Sequence, residues 1–224
     1  DYALAEPVAP YVEQGRVALI PVHDTLEALM QLARHRLHQF APAVVGITGS
    51  VGKTTTKDMV ASVLSMGGSV LKSQGNYNTE IGMSLSLVEL QSHHRWAVLE
   101  YGMRGLGEIT RLCRIAAPEI AVMTVIGENH LERLGSVENI ARAKFELLQG
   151  LKPGGTAVLN RDDPYQVRLA EEHRGEICWY GLGHRQGTLL TVEERADGSY
   201  DLKYGGRTVP LRLSLPGRHN VLNA

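Results

Sequence analysis

A glycine turn followed by a lysine and three threonines is the most chemically suggestive stretch of the sequence. Residues 46–59 read GITGSVGKTTTKDM, in which an apolar strand end leads through Gly49 and Gly52 to Lys53. Glycine adopts backbone angles closed to other residues, so amides in this turn can point into one concavity at a helix start. A lysine ammonium and the Thr54 hydroxyl suit phosphate oxygens and Mg²⁺. The stretch therefore predicts a phosphate-binding loop.

This loop pattern is shorter than its strict form. The Walker pattern G-x-x-x-x-G-K-[ST] requires glycine at the position of Ile47, so this chain has only the G-x-x-G-K-T core. The alternative interpretation is a glycine-rich turn with a surface lysine. Because strand, turn, Lys-Thr and helix occur in the required order, we favour the phosphate loop and include Ser50 and Thr55 among its nucleotide-binding residues.

Polar residues follow two of the predicted strands. Glu100 comes directly after the apolar run WAVL, and Glu128, Asn129 and His130 follow IAVMTVIG. In open α/β sheets ligands bind beyond the carboxyl ends of the strands, where a carboxylate beside a phosphate loop commonly binds Mg²⁺. Two alternatives stay open: a salt bridge or helix cap for Glu100, and a hydrogen bond to a backbone carbonyl for His130.

Lys144 occupies an unusual position for a lysine. On a helical wheel of residues 136–151, Ile140 and the leucines share one face, Glu146 lies on the opposite face, and Lys144 falls within the apolar stripe. A bare ammonium buried there is costly. The side chain therefore either extends to the edge of the stripe, meets an anion, or is chemically converted.

A loop ahead of a predicted helix supplies uncharged hydrogen-bonding groups. The stretch QGNYNTEIG contains Asn76, Asn78 and Thr79, which can bind a substrate carbonyl or phosphate. A plain turn with a helix N-cap explains the same residues. Near the end of the chain, PGRHN ends in Asn220, which either hydrogen-bonds a base or simply lies at a helix start.

The elements that must position these residues alternate along the chain. From Ala43, the apolar runs AVVGIT, SVLKS, WAVLEYG, IAVMTVIG, GTAVLN and EICWYG are separated by amphipathic helical patterns. This alternation predicts an α/β fold: a mostly parallel sheet of the P-loop ATPase type with helices on both faces. Residues 187–215 contain three short segments between glycine turns and predict an antiparallel β edge. Before the sheet, RVALIPV predicts a short strand, and Asp24 with Glu27 predicts a capping box at a helix start.

Composition and charge exclude several classes of function. The 224 residues, 43% hydrophobic and 21% charged, suffice for a large globular domain. A formal net charge of -1 provides no excess positive charge for coating a nucleic acid or an anionic membrane. Cys113 and Cys178 are too few for a disulfide framework and predict reduced core thiols. No apolar run approaches about 18 residues and no signal-peptide pattern is present, so we expect no membrane span and a cytoplasmic location.

Taken together, these stretches resemble the Mur ligase family. The matching stretches, in family order from residue 46 to the end, are GITGSVGKTTTKDM, GNYNTEIG, EYGMRGLGEI, GENHLERLGSVENIARAKFELL, LNRDDP and GRHNVLNA. The resemblance covers nearly the whole chain, and its motifs are highly specific. This chain departs from the family at two places, with Asn78-Thr79 where Asn-Asn is usual and with Asn129 in place of a common small residue.

The resemblance implies a role for each matching residue. The family's loop lysine and threonine fall on Lys53 and Thr54, which would bind the β and γ phosphates and Mg²⁺. Its metal-binding glutamate and histidine fall on Glu100 and His130, and its carbamylated lysine falls on Lys144. Carbamylation converts an amine into an anion that can hold a second Mg²⁺. The implied catalytic residues are therefore Lys53, His130 and Lys144.

The resemblance also implies a reaction and its partners. The terminal carboxylate of UDP-N-acetylmuramoyl-tripeptide would attack the γ-phosphoryl group of ATP, and D-alanyl-D-alanine would displace phosphate from the acyl phosphate. The implied cofactors are ATP and two Mg²⁺ ions, with adenine contacted by Asn220, and a monomer is expected. The forms GSVGKTTTKDM and GMRGLGEI favour the family member that adds this dipeptide over the members that add earlier amino acids.

The family has three domains, and the resemblance divides this chain accordingly. Residues 1–41 correspond to the end of the UDP-substrate-binding domain and a linker, and residues 42–216 to the central ATP-binding domain. Residues 217–224 correspond to the start of a helix leading to a C-terminal domain that is absent from the chain. We therefore expect the chain by itself to bind nucleotide weakly and to ligate poorly or not at all.

Three other interpretations stay open. The stretch VLNRDD is similar to the guanine-reading N-K-x-D motif of GTP switches, but Arg161 replaces the lysine and no D-x-x-G follows the phosphate loop. The second alternative is a relative that joins other amino acids, such as a cyanophycin or folylpolyglutamate synthetase. The third is a binding or interaction module, in which Lys53→Ala would have no effect on function.

Overall fold

The computed structural model of the protein describes residues 20–182, 189–195, 197–211 and 218–223. The predicted strand RVALIPV lies largely outside these residues, and the part within them, residues 20–22, is not in a strand.

One sheet organises the molecule. Within the described residues it contains nine strands, which are β1 (Ala43–Thr48), β2 (Ser69–Lys72), β3 (His94–Glu100), β4 (Ile120–Met123), β5 (Thr156–Asn160), β6 (Glu176–Leu182), β7 (Leu190–Glu194), β8 (Tyr200–Tyr204) and β9 (Arg207–Leu211). Their spatial order is β2-β3-β1-β4-β5-β6-β7-β8-β9. Pairing is parallel from β2 through β7, whereas the β7–β8 and β8–β9 pairs are antiparallel. The predicted α/β fold with an antiparallel edge is thereby confirmed.

Helices connect the successive parallel strands from β1 through β6, because parallel strands need a crossover connection. Within the described residues they are α1 (Thr25–Phe40), α2 (Lys53–Leu64), α3 (Glu80–Val88), α4 (Glu108–Ile115), α5 (Leu131–Leu134), α6 (Val137–Gln149), α7 (Pro164–Ala170) and α8 (Arg218–Asn223). None of these helices is both long and apolar enough to cross a membrane.

The alternation of side chains along the central strand divides the core between two faces of the sheet. Val44 of β1 belongs to the larger cluster, which includes buried residues of α3, α4 and α6. Val45 and Ile47 point to the other face, where they pack with Ala61 of α2. Both faces of β1 are therefore apolar, which explains the continuous run AVVGIT.

Helix α1 packs against the main body through α3. Ala33 is fully buried in the larger core cluster, and the Arg36 guanidinium donates a hydrogen bond to the carbonyl of Leu90. The helix begins at Asp24, whose carboxylate accepts hydrogen bonds from the amides of Leu26 and Glu27 at 2.8 and 2.9 Å. Helix α1 thus has the Asp24 half of its predicted capping box, whereas the Glu27 carboxylate accepts hydrogen bonds from Gln31 and Arg34 further along the helix. The predicted domain boundary at residue 41 stays a prediction.

Candidate active site

A polar cavity of about 480 Å³ lies beyond the carboxyl ends of the parallel strands. This is the expected position of a ligand site in an open α/β sheet. The predicted site residues that line the cavity are Gly49, Ser50, Lys53, Asn76, Asn78, Thr79, His130 and Lys144. The structure therefore brings together residues that are almost 100 positions apart in the sequence.

The two glycines of the loop after β1 are required by its geometry. Gly49 and Gly52 have φ values of 151° and 90°, which favour glycine. A Cβ atom on Gly49 would lie 1.8 Å from the Thr124 hydroxyl, and one on Gly52 would lie 2.2 Å from the Asn223 side chain. Gly52 is the N-cap of α2 and gives no side-chain hydrogen bond to it, so the first amides of the helix can bind an anion.

Lys53 folds back over this loop. Its ammonium donates a hydrogen bond of 2.8 Å to the carbonyl of Gly49. Burial lowers the pKa of Lys53, and the nearby Glu100 carboxylate opposes that shift. The side chain is thus a partly desolvated cation at the cavity wall, which strengthens its attraction for an anion.

The loop is tied to the segment that follows β4. The Ser50 hydroxyl donates to the carbonyl of Gly127 at 3.1 Å and accepts from the Gly127 amide at 2.9 Å. The Asn129 amide donates to the carbonyl of Ser50 at 3.0 Å. Asn129, one of the two departures from the family pattern, therefore braces the phosphate loop.

Glu100 ends β3 as a buried carboxylate with two neutral donors. Only 2% of the residue is exposed, and its carboxylate accepts hydrogen bonds from the Thr54 hydroxyl and the Asn78 amide, each at 2.9 Å. No ion pair to Glu100 within 4.0 Å is found among the described residues. A buried carboxylate beside a hydroxyl fits Mg²⁺, which prefers oxygen ligands.

His130 stands at the start of α5 in an unusual backbone conformation. Its φ of 64° lies in the left-handed region, which places the half-buried imidazole at the cavity wall. Among the described residues, the His130 imidazole forms no hydrogen bond to a backbone carbonyl, so the alternative interpretation has no support. The metal-binding role of His130 stays a prediction.

The predicted metal ligands do not form an ordinary carboxylate cluster. Over the described ranges, no group of three or more His, Cys, Asp and Glu side chains is placed to hold a metal ion. The predicted set contains one carboxylate and one imidazole, from Glu100 and His130. It therefore depends on the Thr54 hydroxyl and on conversion of Lys144 from a cation to an anion.

Lys144 lies on α6 with only 3% of the residue exposed, and it lines the cavity. Burial, and to a smaller extent the positive charge of Lys53, lowers its pKa from 10.5 to about 7. Among the described residues, no hydrogen bond or ion pair reaches its ammonium. Such a group is poised to lose its proton or to meet an anion.

The neighbouring Glu146 corrects one expectation from the helical wheel. The helical wheel places Glu146 opposite the apolar face of α6, yet only 8% of the residue is exposed. Its carboxylate accepts hydrogen bonds from the Gly107 amide and from the amide and hydroxyl of Thr110. The reason is that α4 covers this face of α6, which a wheel drawn for one helix does not show.

The loop between β2 and α3 contains both a helix cap and a site residue. Thr79 is the N-cap of α3 and accepts from the Gly82 amide at 3.4 Å, as the plain-turn alternative predicts. Asn78 differs, since its side chain lines the cavity and bonds to Glu100. Gly102 permits this approach, because a Cβ there would lie 2.6 Å from the Asn78 side chain.

Four predicted nucleotide-binding residues are not among those that line the cavity, namely Gly52, Thr54, Thr55 and Asn220. Thr55 is half-buried on α2, and Asn220 is 8% exposed on α8, a helix that packs against α2. The contact is visible at Thr56, whose hydroxyl donates to the carbonyl of Asn223 at 3.2 Å. The roles of Thr55 and Asn220 stay predictions.

The opposite wall of the cavity was not assigned from the sequence. It comes from the start of α3, the segment between β3 and α4 and the first turn of α4, and its charged members are Glu80, Arg104, Glu108 and Arg111. The Arg111 guanidinium donates to the Glu80 carboxylate at 2.7 Å. The position of GMRGLGEI two residues after Glu100 is the signal that could have identified this wall.

The stretch that resembled a guanine-reading motif has structural contacts instead. The Arg161 guanidinium lies 4.6 Å from the centre of the Trp179 ring, and Asp162 accepts from the Leu182 amide at 2.6 Å. Asp163 is the N-cap of α7 and accepts from the Ile126 amide at 3.0 Å. None of these residues lines the described polar cavity.

A parallel sheet whose first strand runs into a glycine loop, followed by a helix that opens with lysine and threonine, defines a nucleotide-binding domain of the P-loop type. Residues 47–224 match the Mur ligase middle domain, so the chain belongs to the Mur ligase family. The resemblance noted in the sequence is thereby confirmed.

Relatives and solved structures agree with this assignment. The chain is 41% identical over 208 residues to the UDP-N-acetylmuramoyl-tripeptide--D-alanyl-D-alanine ligase of Bacillus subtilis (strain 168), a match that covers 92% of this chain and 45% of the relative. Crystal structure I of MurF from Acinetobacter baumannii matches with a TM-score of 0.83 at 32% identity, covering 93% of this chain and 46% of that one.

A third comparison includes a nucleotide. The structure of MurF ligase from Thermotoga maritima in complex with ADP matches with a TM-score of 0.82 at 28% identity, covering 96% of this chain and 54% of that one. The chain therefore spans about half the length of the relatives that it matches.

Proposed function

We propose that this chain forms the ATP-binding half of a ligase that adds D-alanyl-D-alanine to UDP-N-acetylmuramoyl-tripeptide. Relatives named for this reaction support the substrates, and the ADP complex of one relative supports the nucleotide. One observation carries the proposal: Lys53, Lys144 and Asn78 line one polar cavity at a phosphate loop, and Asn78 donates to the same Glu100 carboxylate as the Thr54 hydroxyl.

The phosphate loop would bind the nucleotide through its backbone and its lysine. The first amides of α2 and the Lys53 ammonium would bind the β and γ phosphates, and together they would neutralise charge during transfer. Thr54, Glu100 and His130 would hold Mg²⁺, which would supply positive charge to offset the negative charge of the phosphates during transfer. Adenine contact is assigned to Asn220 and further loop contacts to Ser50 and Thr55.

Ligation would proceed in two steps. A carboxylate oxygen of the tripeptide attacks the γ-phosphorus, the bond to the bridging oxygen breaks, and acyl phosphate and ADP form. The amine of D-alanyl-D-alanine then attacks the acyl carbon, phosphate leaves, and the amine loses a proton. Asn76, Asn78 and Thr79 would orient the acyl group, because their loop forms the wall next to Lys53.

Lys144 would act as a carbamate. Its pKa of about 7 leaves much of the amine unprotonated at neutral pH, and an unprotonated amine adds to CO₂ with loss of a proton. The resulting anion would be attracted to the Lys53 ammonium, whereas the ammonium form is repelled by it. Bicarbonate labelled with ¹³C should therefore give a carbamate resonance that is lost in Lys144→Met.

We also propose that ligation requires regions beyond this chain, since the relatives are about twice as long. The chain alone should bind MgATP weakly and form little or no product. We expect the enzyme to work in the cytoplasm, where ATP is available, and as a monomer.

Calorimetry with MgATP tests the proposal. The unaltered chain should take up ATP in a magnesium-dependent manner, and Lys53→Ala should lose most of that affinity. Lys152→Ala is the matched control, because Lys152 is an exposed lysine whose ammonium pairs with Glu119 at 2.7 Å. In a protein of the relatives' full length, only the tripeptide carboxylate and D-alanyl-D-alanine should sustain ADP release. ATP turnover driven instead by a folate or cyanophycin substrate would refute the proposed substrates.

A further inference from the structure

A second lysine of α2 is buried away from the cavity. Lys57 has 2% of its side chain exposed, and its ammonium donates a hydrogen bond of 3.3 Å to the carbonyl of Gly75. The nearest carboxylate, from Asp58, is 3.9 Å away. That carboxylate is half exposed and pairs with Lys72 at 2.8 Å. The Lys57 charge is therefore buried with one neutral carbonyl as its close partner.

Stability gives no reason for a lysine at this position. Removing an ammonium from water is costly, and replacing a buried charge by an apolar side chain of similar volume is often neutral or stabilising. Gly75 is exposed, so water can hydrate its carbonyl if the lysine bond is lost. A methionine at position 57 would therefore satisfy the packing without the charge.

The position of Lys57 on α2 links it to the nucleotide-binding residues. Lys57 follows Lys53 by four positions and Thr54 by three, and residues at these spacings lie on one face of a helix. This face therefore bears the predicted phosphate ligand, the predicted Mg²⁺ ligand and, one turn further along, the buried ammonium. The helix connects them rigidly.

The loop that Lys57 holds contains the predicted acyl-substrate residues. Gly75 has a φ of 48° and is followed by Asn76 and Asn78. At its far end, the Gly102 amide donates to the carbonyl of Asn78 at 2.9 Å, and the Asn78 side chain donates to Glu100. The loop is therefore held at two points, by α2 at Gly75 and by the end of β3 at Asn78.

We propose that Lys57 is a positioning residue for the acyl substrate. It fixes residues 74–79 relative to the helix that binds the nucleotide, so that Asn76 and Asn78 present their amides to the carboxylate next to the γ-phosphate. The inference rests on the proposed function for the identity of the substrate. The attachment of the loop to α2 does not depend on it.

Hydrogen exchange tests the attachment in this chain. In Lys57→Met, amides of residues 74–79 should exchange about tenfold faster, as expected when a hydrogen bond to a charged group is lost. The melting temperature should stay the same or rise. Lys72→Met is the control, because Lys72 also links α2 to this part of the chain but is half exposed. Unchanged exchange at 74–79 in Lys57→Met would overturn the proposal, and so would a lowered melting temperature with uniformly faster exchange.

Kinetics test the consequence in a protein of the relatives' full length. Lys57→Met should raise KM for the tripeptide substrate by about tenfold and leave KM for ATP within about twofold, since the phosphate loop itself is untouched. Gly75→Val should give the same separation, because a β-branched residue resists a positive φ while Lys57 stays in place. If Lys57→Met does not fold, Gly75→Val alone tests the positioning role. Equal effects on both KM values would contradict the positioning role.

The two proposals fail in different ways. If the unaltered protein shows no ligation but exchange at residues 74–79 still responds to Lys57→Met, the proposed function is wrong and the attachment is correct. If ligation is present and neither variant separates the two KM values, the proposed function holds and the role of Lys57 is wrong.

Discussion

Two lysines that face one cavity govern the electrostatics at the scale of single residues. Lys144 is deeply buried and repelled by Lys53, so its positive form is disfavoured in the folded state. Lys53 is less perturbed because Glu100 compensates its burial. A triphosphate would satisfy Lys53, whereas Lys144 needs either a lost proton or a new negative charge.

The first prediction concerns the pH dependence of stability. Because the pKa of Lys144 is about 7 in the folded state and 10.5 ordinarily, the unfolded state binds more protons between these values. The free energy of unfolding therefore rises with pH in that window through Lys144, by at most about 1.4 kcal/mol per pH unit. Below the window, the destabilisation caused by burying the charged lysine is complete. Lys144→Met should thus be more stable than the unaltered chain at acidic pH, with a gain that shrinks above neutrality.

Urea denaturation in CO₂-free buffer with a chelator measures this difference. Lys152→Met, which removes an exposed lysine, is the control and should show no such pH dependence. Parallel stability profiles for Lys144→Met and the unaltered chain would show that Lys144 is not a buried cation.

The second prediction concerns the Glu100 carboxylate. Glu100→Gln keeps an oxygen that can accept from the Thr54 hydroxyl but removes the charge. The gain in ATP affinity on adding Mg²⁺ should fall by about tenfold or more, since Mg²⁺ favours charged oxygen ligands. Affinity without Mg²⁺ should be retained or improved, because the carboxylate repels phosphate. Calorimetry with and without Mg²⁺ distinguishes these effects, and Glu119→Gln, an exposed carboxylate, is the control.

The sequence predicts the residues of this site better than their partners. Lys53, Asn78, His130 and Lys144 could be identified because each follows a strand or interrupts an apolar pattern. Partners such as the Asn78–Glu100 hydrogen bond depend on strands that become neighbours only after folding.

At the scale of elements, one carboxylate connects two helices around the cavity. The Glu146 side chain of α6 accepts from the Gly107 amide at 2.6 Å and from the amide and hydroxyl of Thr110 at 2.9 Å each. These donors lie at the start of α4. The N-cap residue of this helix is Gly107, which has no side chain that could accept hydrogen bonds from the first amides. Glu146 therefore fixes the helix that brings Arg111 to the cavity.

The third prediction follows from this contact. Glu146→Ala should lower the free energy of unfolding by about 3 kcal/mol, because buried donors lose a charged acceptor. Gln149→Ala, at an exposed position near the end of the same helix, should change stability by less than about 0.5 kcal/mol. Equal stability of the two variants in urea denaturation would disprove the capping role of Glu146.

Sequence patterns predict the ends of strands less well than the strands themselves. IAVMTVIG predicts a strand through residue 127, yet β4 ends at Met123. The next residues leave the sheet because distant side chains hold them. Asp163 accepts from the Ile126 amide and Ser50 from the Gly127 amide. Apolar periodicity predicts the strand, but this periodicity contains no information about such long-range hydrogen bonds.

At the scale of the whole molecule, the cavity is a meeting point of separate loops. The loops after β1, β2, β3 and β4 all contribute to its walls, so a ligand bound there would crosslink much of the sheet's carboxyl edge. A ligand that binds the folded state and not the unfolded state must stabilise the whole cooperative unit. Overall stability is therefore a direct measure of occupancy.

The last prediction uses this linkage to separate nucleotides. At a MgATP concentration 100-fold above its Kd, the folded chain should gain about 2.7 kcal/mol, which corresponds to a rise in melting temperature of roughly 5 to 10 °C for a chain of this size. MgGTP at the same concentration should give a much smaller rise, because Arg161 and Asp162 are engaged in contacts away from the cavity. Lys53→Ala should show no rise with either nucleotide, while Lys152→Ala should behave as the unaltered chain. An equal rise with GTP would favour the GTP-switch interpretation over the ligase, since a guanine-reading site would then have to exist elsewhere on the same fold.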